Sequence, residues 1–486
     1  MLRRFLRYAG GSPPAWFLTV LVACLSVDPA AAQNAPSTGA TPQSDTLEAG
    51  TGFLSGLSRR SNLLGDIGGL RSFLSRRGVE FTLTETSEVL GNVSGGVKQG
   101  FAYDGLTQMG LQVDTDKAFG WEGGTFNVSA LQIHGRNLSA DNLQSLQTAS
   151  GIEADRATRL WELWYQQQFL DGQADVKLGQ QSLDQEFMVS SNALLFVNTM
   201  FGWAMLPSAD LPGGGPAYPL SSLGVRLRGK PTEALTLLGG VFNGSPASTN
   251  TGDSQKRNPS GTSFPTNGGV LAFAELQYEF PANGSMVQSG QRKQLPGVYK
   301  LGAWYDSERF ADQRYDTSGL SLADPNSTGN ARQHRGNFSL YGVVDQTLWQ
   351  AEGESTQSLS FFSRVMGAPA DRNLISFSLN AGLTLKAPLP GRDNDTVGLG
   401  MGFAQVSGRA SGLDRDSNVF NGTSNPVRGS ETYIEATYQY QVFPWWQVQP
   451  DLQYVFNPGA GIANPNNAGQ RVKDEAVLGL RTVITF

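Results

Sequence analysis

The chain has 486 residues, of which 39% are hydrophobic and 16% are charged, and it contains 59 glycines, two histidines and one cysteine. So few Cys and His side chains exclude a Cys/His zinc site and a disulfide framework, and they leave little material for a nucleophile with a base. The formal charge of -6 lacks the basic excess that nucleic acid binding requires, so we expect no metal, no cofactor and no nucleic-acid partner.

The N-terminus has the pattern of a secretory signal peptide. Three arginines in the first seven residues precede the apolar stretch Phe17–Val27, and small residues follow up to Ala32. This pattern predicts a signal peptide over residues 1–32, with cleavage after Ala32. A second reading stays open, because Leu21–Cys24 resembles a lipoprotein signal in which Cys24 becomes the lipidated first residue.

The next segment, residues 33–62, begins with a stretch rich in Ala, Pro, Ser, Thr and Gly. Such a composition cannot bury a hydrophobic core. We therefore expect a flexible periplasmic leader here, followed by one domain over residues 63–486.

From Val79 onward, apolar and polar residues alternate with a period of two, which is typical of strands with one polar and one apolar face. Many of these segments approach the ~9–11 residues with which a tilted strand crosses a bilayer. About sixteen can be counted, near residues 79–90, 99–114, 123–134, 160–170, 173–181, 222–230, 235–243, 269–280, 297–307, 337–349, 357–367, 373–386, 395–407, 431–442, 446–457 and 475–486.

The connectors between these segments alternate between short and long, and 281–296 is the exception. Tight turns at one end and long loops at the other are typical of an outer-membrane barrel with periplasmic turns. Charges in the middle of strands argue against a soluble sandwich, whose dry core would not tolerate them. The sequence therefore predicts an all-β fold, a transmembrane antiparallel β-barrel of about sixteen strands in the Gram-negative outer membrane.

The long connector 182–221 has an unusual apolar centre, which includes Phe196, Phe201 and Trp203. Such a loop is unfavourable in water, so we expect it to fold into the lumen and narrow the pore. Packing over the barrel mouth is the alternative.

Residues of both charge signs face this expected constriction. Carboxylates, guanidinium groups and amides pair with sugar hydroxyls, and aromatic rings stack on apolar sugar faces. A pore for one type of ion would instead carry a ring of one sign. The candidates from strand parity are Glu88, Asp104, Glu162, Trp164, Gln166, Lys177, Gln181, Arg226, Arg228, Trp304, Arg364 and Arg481.

Several stretches resemble the carbohydrate-selective porins of the OprB type. They are Leu64–Arg71, in which Ile67 replaces the usual Trp, then Gly91–Gly96, Gly179–Gln181 and Gln449–Tyr454. The resemblance spans about residues 60–486. It implies a sixteen-stranded barrel that admits glucose and other small sugars by facilitated diffusion. It also adds Asp184 and Glu186, at the start of the long loop, to the candidates for the sugar pathway.

Two rival functions share the barrel fold. A general or weakly anion-selective diffusion porin would differ only in its lumen chemistry. An outer-membrane barrel enzyme needs a nucleophile beside a base, and the sequence suggests none for His134 or His334, so we expect no enzyme.

The expected partners are mono- and oligosaccharides or polyols, and outer-membrane lipid. The terminal Phe486 resembles the signal that the barrel-assembly machinery recognises. The sequence leaves both a monomer and a homotrimer open.

Overall fold

The fold was analysed in a computed structural model, which describes residues 57–248, 252–281, 295–352 and 356–486. Antiparallel strands dominate it. Their bounds are β1 Val79–Gly96, β2 Gly100–Asp114, β3 Gly124–Gly135, β4 Ala157–Phe169, β5 Ala174–Gln181, β6 Ser222–Gly229, β7 Leu235–Asn243, β8 Val270–Phe280, β9 Gly297–Asp316, β10 Ala331–Gln350, β11 Ser358–Gly367, β12 Ile375–Lys386, β13 Thr396–Val406, β14 Ser430–Phe443, β15 Trp446–Phe456, β16 Ala463–Asn464, β17 Asn467–Arg471 and β18 Lys473–Thr485.

Sixteen of these strands form one closed barrel. Each strand from β1 to β14 pairs with the next, and β18 closes the barrel between β15 and β1. The short strands β16 and β17 form a separate two-stranded sheet in the connector ahead of β18. Closure leaves no free sheet edge, as a membrane-spanning sheet requires. The predicted fold class and strand number are confirmed.

Two neighbouring strands are longer than the sequence predicts. We expected 297–307 and 337–349 with a loop 308–336 between them, but β9 continues to Asp316 and β10 starts at Ala331. The expected loop is therefore wrong at residues 308–316 and 331–336, which belong to the two strands. The pairing shifts register between Ala331 and Gln333 and again between Arg335 and Asn337. Such irregularities break the alternation that marks a strand in the sequence.

Short helices lie in several connectors. They include Leu70–Ser75 ahead of β1, Thr115–Phe119 in the turn after β2, Met205–Asp210 in the long loop, and Gly408–Asn421 between β13 and β14. Within the described part of the chain, no helix has the length and apolar character needed to cross a membrane.

The two faces of the barrel wall differ in chemistry. Outward residues such as Leu340 and Leu399 are 64% and 55% exposed, as lipid-facing positions are. Inward residues such as Asp345 and Glu435 are 7% and 0% exposed. A charged inner wall that is so little exposed must be covered by other parts of the chain.

The segment ahead of β1 docks at the end of the barrel where β18 terminates. Leu63 donates its backbone N–H to Thr485 at 2.9 Å, and the indole of Trp445 donates to the carbonyl of Leu57 at 2.7 Å. The predicted signal peptide, its cleavage after Ala32, the alternative at Cys24 and the leader up to residue 56 lie outside the described residues.

Candidate functional site

The long loop between β5 and β6, residues 182–221, lies inside the barrel. Its side chains Phe196, Phe201 and Trp203 are 4%, 1% and 5% exposed. Phe196 stacks on Phe201 with the ring centroids 4.3 Å apart, and Phe201 meets Tyr433 of the inner wall edge-on at 5.4 Å. Burial of apolar surface contributes about 25 cal/mol per Å², which is why this apolar loop folds inward.

Two glycines of β13 allow the loop to approach the wall closely. A Cβ atom at Gly398 would lie 2.8 Å from the ring of Phe196, and one at Gly400 would lie 2.6 Å from the ring of Phe201. Any larger side chain would push these rings away from the wall. Alternate glycines at inward positions are therefore the sequence signal for a docked loop.

Carboxylates of the inner wall hold the backbone of the loop. Each accepts a hydrogen bond from a loop N–H group, and a charged acceptor makes such a bond stronger than a neutral one. The pairs are Glu162 with Ser182 at 3.1 Å, Glu275 with Met188 at 2.7 Å, Asp345 with Asn192 at 3.2 Å and Glu435 with Val197 at 2.6 Å. Among them, only Glu162 is a predicted pathway residue.

Arg364 holds the same loop through its carbonyl groups. Its guanidinium donates to the carbonyl oxygens of Met188 at 3.1 Å, Gly202 at 2.9 Å and Phe201 at 3.2 Å, and also to that of Met200. The side chain is 1% exposed. Arg364 therefore holds the loop against the barrel wall, and its buried charge is not free to attract solutes in the lumen.

Lys177, Trp164 and Glu186 come together on the β4–β5 wall. The Lys177 ammonium lies 4.1 Å from the centroid of the Trp164 ring and pairs with the carboxylate of Glu186. Burial alone would raise the pKa of Glu186, but Lys177 and Arg226 hold it below its usual value. The loop and the wall are thus joined by an ion pair at this point.

Next to this group, two arginines of β6 share one carboxylate. Arg226 and Arg228 both bind Asp175, whose side chain is fully buried. Arg226 also places its Nε 3.0 Å from Glu186 and donates to the Gln166 amide oxygen at 3.3 Å. These charges are neutralised by one another, so few are left to attract an ion.

The remaining predicted residues lie at separate places in the lumen. Arg481 pairs with Glu88, which lies opposite Asp104 in the β1–β2 pairing. Trp304 is 1% exposed within the main hydrophobic cluster. Gln181 is fully buried and donates to two backbone carbonyls of β5 and β6. In these positions Trp304 and Gln181 are packing groups.

The sequence missed a second inward loop, residues 136–156. Glu431 of β14 accepts the N–H groups of Leu146 at 2.8 Å and Gln147 at 2.7 Å. The loop also contacts the first loop, since Gly151 donates to Val197 at 2.9 Å. Its apolar residues Leu138, Leu143 and Ile152 were the available signal, and they are at most 5% exposed.

The second loop contains a buried acid that should make the stability of the barrel pH-dependent. Glu153 accepts the Ser139 N–H at 3.3 Å, while burial and the nearby Asp104 raise the pKa of Glu153 from 4.5 to about 8. The folded barrel therefore binds this proton more tightly than the unfolded chain. Its contribution to stability is complete below pH 4.5 and is lost as the pH rises through about 8.

Glu153→Gln should flatten this pH dependence, which thermal unfolding in detergent at several pH values will measure. The exposed turn residue Glu122 supplies the matched control, Glu122→Gln, which should leave the profile unchanged. Equal profiles for wild type and Glu153→Gln would contradict the assignment.

An open cavity of about 300 Å³ remains beside the loop. Residues of β1, β2 and β18 line it, together with Trp161, Tyr218 and residues of the two inward loops. Among the predicted pathway residues, Asp184 and Arg481 reach this cavity. Asp184 accepts the Tyr218 N–H at 3.0 Å, and burial raises its pKa.

The two histidines lie outside this cavity. His334 pairs with Asp312 at 2.9 Å in the extended β9–β10 hairpin. His134 lies on the outward face of β3, and its Nε2 is 3.5 Å from Glu85 and 3.1 Å from the Tyr103 hydroxyl. The sequence did not suggest that a carboxylate would lie beside His134. Ser87 also lies nearby, but its hydroxyl forms hydrogen bonds with the Glu85 carboxylate at 3.2 Å and the Tyr103 hydroxyl at 3.1 Å.

Comparisons with known proteins all match porins. The family model for the carbohydrate-selective porins, OprB family, matches residues 98–486. Porin B of Pseudomonas aeruginosa is 28% identical over 431 residues, which cover 84% of this chain and 88% of that protein. The putative porin QuiX of Acinetobacter baylyi is 24% identical over 447 residues, with 88% and 93% covered.

A solved structure shares the architecture. Pseudomonas putida OprB at high pH matches with a TM-score of 0.77 and 25% identity, over 88% of this chain and 99% of that one. The family model covers most of this chain, and the sixteen-stranded barrel agrees with it. The chain therefore belongs to the OprB family of carbohydrate-selective porins, which are sugar-conducting β-barrels of the Gram-negative outer membrane.

Proposed function

We propose that this porin conducts glucose and other small sugars by facilitated diffusion, through the cavity that the loop 182–221 leaves open. The observation that carries the proposal is the lining of that cavity, which combines hydroxyl and amide groups with aromatic rings. Sugars present both hydroxyl groups and apolar ring faces, so each type of solute surface meets a matching wall. The cavity volume of about 300 Å³ lies at the lower end of the ~300–1,000 Å³ typical of small-molecule sites.

The predicted pathway residues divide into two groups in this proposal. Asp184 and Arg481 line the cavity and contact the passing solute. Glu162, Lys177, Glu186 and their neighbours set the width of the lumen, because their ion pairs and hydrogen bonds fix the loop. Weak, dispersed contacts favour release of the solute, which conduction requires.

Liposome swelling tests the sugar preference. Purified porin in liposomes should admit glucose several-fold faster than an uncharged amino acid of similar size, and maltose more slowly than glucose because of its size. Equal rates for glucose and the amino acid would favour a general diffusion porin. A reversal potential strongly displaced toward anions in a salt gradient would favour an anion-selective pore.

The proposal also covers the surroundings of the barrel. Its apolar outer face suits outer-membrane lipid, and the terminal Phe486 suits recognition by the barrel-assembly machinery. Deletion of Phe486 should lower the amount of folded barrel in the membrane, as heat-modifiable mobility on gels will measure. Chemical cross-linking in native membranes distinguishes a monomer from a homotrimer.

We propose no catalytic activity for this chain. An acyl-transfer site needs donors for an oxyanion as well as a nucleophile and a base. Around His134 the backbone N–H groups belong to the strand ladder of β2 and β3. Phospholipid hydrolysis by the purified porin at a rate above the protein-free background would contradict this statement.

A further inference from the structure

The inner wall of β1 carries three threonines in a row, at alternate positions. Thr82, Thr84 and Thr86 line the cavity together, and Thr485 of β18 continues the row because it pairs with Thr84. Successive inward residues of a strand are about 6.7 Å apart, so the three span about 13 Å along β1. We call these four residues the threonine ladder.

The ladder differs from the charged residues of the lumen because its polar groups are free. In the described part of the chain, none of its hydroxyls forms a hydrogen bond with another protein group, and Gln108 beside Thr84 has a free amide as well. Lys177 and Arg226, in contrast, are paired with Glu186. Polar groups without a protein partner are the ones that a solute can bind.

Aromatic rings line the same cavity. Trp161 and Tyr218 meet edge-on, with the ring centroids 6.4 Å apart and the planes at 82°. Tyr218 is fixed at both ends, because its hydroxyl donates to the Ile152 carbonyl at 2.8 Å and its N–H donates to Asp184. A solute in this cavity therefore meets both rigid rings and free hydroxyl groups.

Few charged side chains line this cavity. Asp184 and Arg481 are the charged side chains among the described residues that line the cavity, and Arg481 is paired with Glu88. Neutral hydroxyl groups can both donate and accept hydrogen bonds, as sugar hydroxyls do. Such a wall discriminates by hydrogen bonding and has little attraction for either ion sign.

We propose that the threonine ladder is the recognition surface for the conducted solute, and that the solute is a neutral polyhydroxy compound. This inference rests on the proposed sugar conduction and adds the residues that select the sugar. Each sugar passes from one hydroxyl to the next and keeps an aromatic contact at Trp161 or Tyr218. The charged residues of β4–β6 act on the width of the path and not on recognition.

The double variant Thr84→Val and Thr86→Val tests this proposal, because valine keeps the shape of threonine and removes its hydroxyl. Each lost neutral hydrogen bond weakens binding by a small factor, so the glucose concentration that half-blocks single-channel current should rise roughly three- to ten-fold. The conductance in KCl without sugar should stay close to that of wild type. Thr432→Val, on the outward face of β14, is the matched control and should change neither value.

A labelling experiment tests contact with the solute directly, in a background in which Cys24 is replaced by serine. A hydrophilic thiol reagent should react with Thr84→Cys and reduce glucose flux. The reagent should leave Ser378→Cys unmodified, because Ser378 lies on the inner face of β12 and is 2% exposed. Both variants must show the heat-modifiable mobility of a folded barrel.

The outcomes separate the two proposals. Suppose that wild type prefers glucose. If glucose then blocks the valine variant as it blocks wild type, or if Thr84→Cys does not react with the reagent, the proposed recognition by the threonine ladder is wrong. If wild type admits glucose and an amino acid equally, the proposed sugar conduction itself fails. A parallel loss of KCl conductance and glucose flux in the valine variant would indicate a closed or collapsed path and would also overturn the ladder.

Discussion

Replacement of Arg364 by methionine should raise the single-channel conductance several-fold and lower the free energy of unfolding by about 3 kcal/mol. The guanidinium binds four backbone carbonyls of the long loop, at Met188, Met200, Phe201 and Gly202. Methionine fills a similar volume but donates no hydrogen bond, so these carbonyls must find water. The loop then leaves the wall, and the lumen widens. Planar bilayer recordings and denaturant unfolding in detergent will measure the two effects.

A matched substitution controls for the loss of one positive charge. Arg335 is exposed in the β9–β10 hairpin, and Arg335→Met should change neither conductance nor stability by a measurable amount. An Arg364→Met porin that unfolds like wild type and conducts like wild type would show that the loop is held without this residue.

Replacement of Asp175 by asparagine should have the second large effect. Asp175 is 1% exposed and neutralises both Arg226 and Arg228. Asparagine leaves two buried or half-buried guanidinium groups side by side. Arg226 keeps its ion pair with Glu186, while Arg228 loses the carboxylate that it pairs with. Breaking a buried ion pair in this way costs about 3–5 kcal/mol. We also expect the reversal potential in a salt gradient to move toward anion selectivity.

Asp171 provides the control for this second variant. It lies in the exposed turn between β4 and β5, where the same loss of one negative charge has no buried partner. Asp171→Asn should therefore keep the wild-type stability and selectivity. If Asp175→Asn and Asp171→Asn behave alike, the buried pairs do not contribute to the stability of the barrel.

Both variants address the role of charge in this lumen. Strand parity alone gives charged inward side chains, and a porin with such a wall is expected to use them on its solutes. The contacts show another use for many of them. Asp345 and Glu435 accept loop N–H groups, and Arg364 donates to loop carbonyls. Many of the charges thus hold the loop in place, and most of the side chains that line the open cavity are uncharged.

Strand position could be read from the sequence because alternation is a local property. Residues of β5 and β6, such as Lys177 and Arg226, alternate cleanly, and they are indeed direct neighbours across the pairing of the two strands. The prediction was wrong where the pairing is irregular. The upper part of the β9–β10 hairpin shifts register near Gln333 and again near Arg335, so period two is lost there although the strands continue.

The candidate site was predictable in part for the same reason. Parity identified Trp164 and Lys177 as inward, and the structure stacks one on the other. Parity could not show that Arg364 binds Met200, since their atoms meet across 164 residues of sequence. Nor could it show that Thr84 is free while Thr384 is not, because Thr384 donates to Asn192 of the loop at 2.9 Å.

The sequence by itself determined the barrel, its strand number and the faces of its strands. In a membrane, each strand must present apolar groups to lipid and pair all its backbone groups with its neighbours, and this requirement leaves a regular local pattern. Only the tertiary structure decided the pore. Its width and lining depend on where two loops settle, and that position follows from contacts between distant residues, such as Phe201 over Gly400. Such contacts depend on shape and on closure of the barrel, which no local period records.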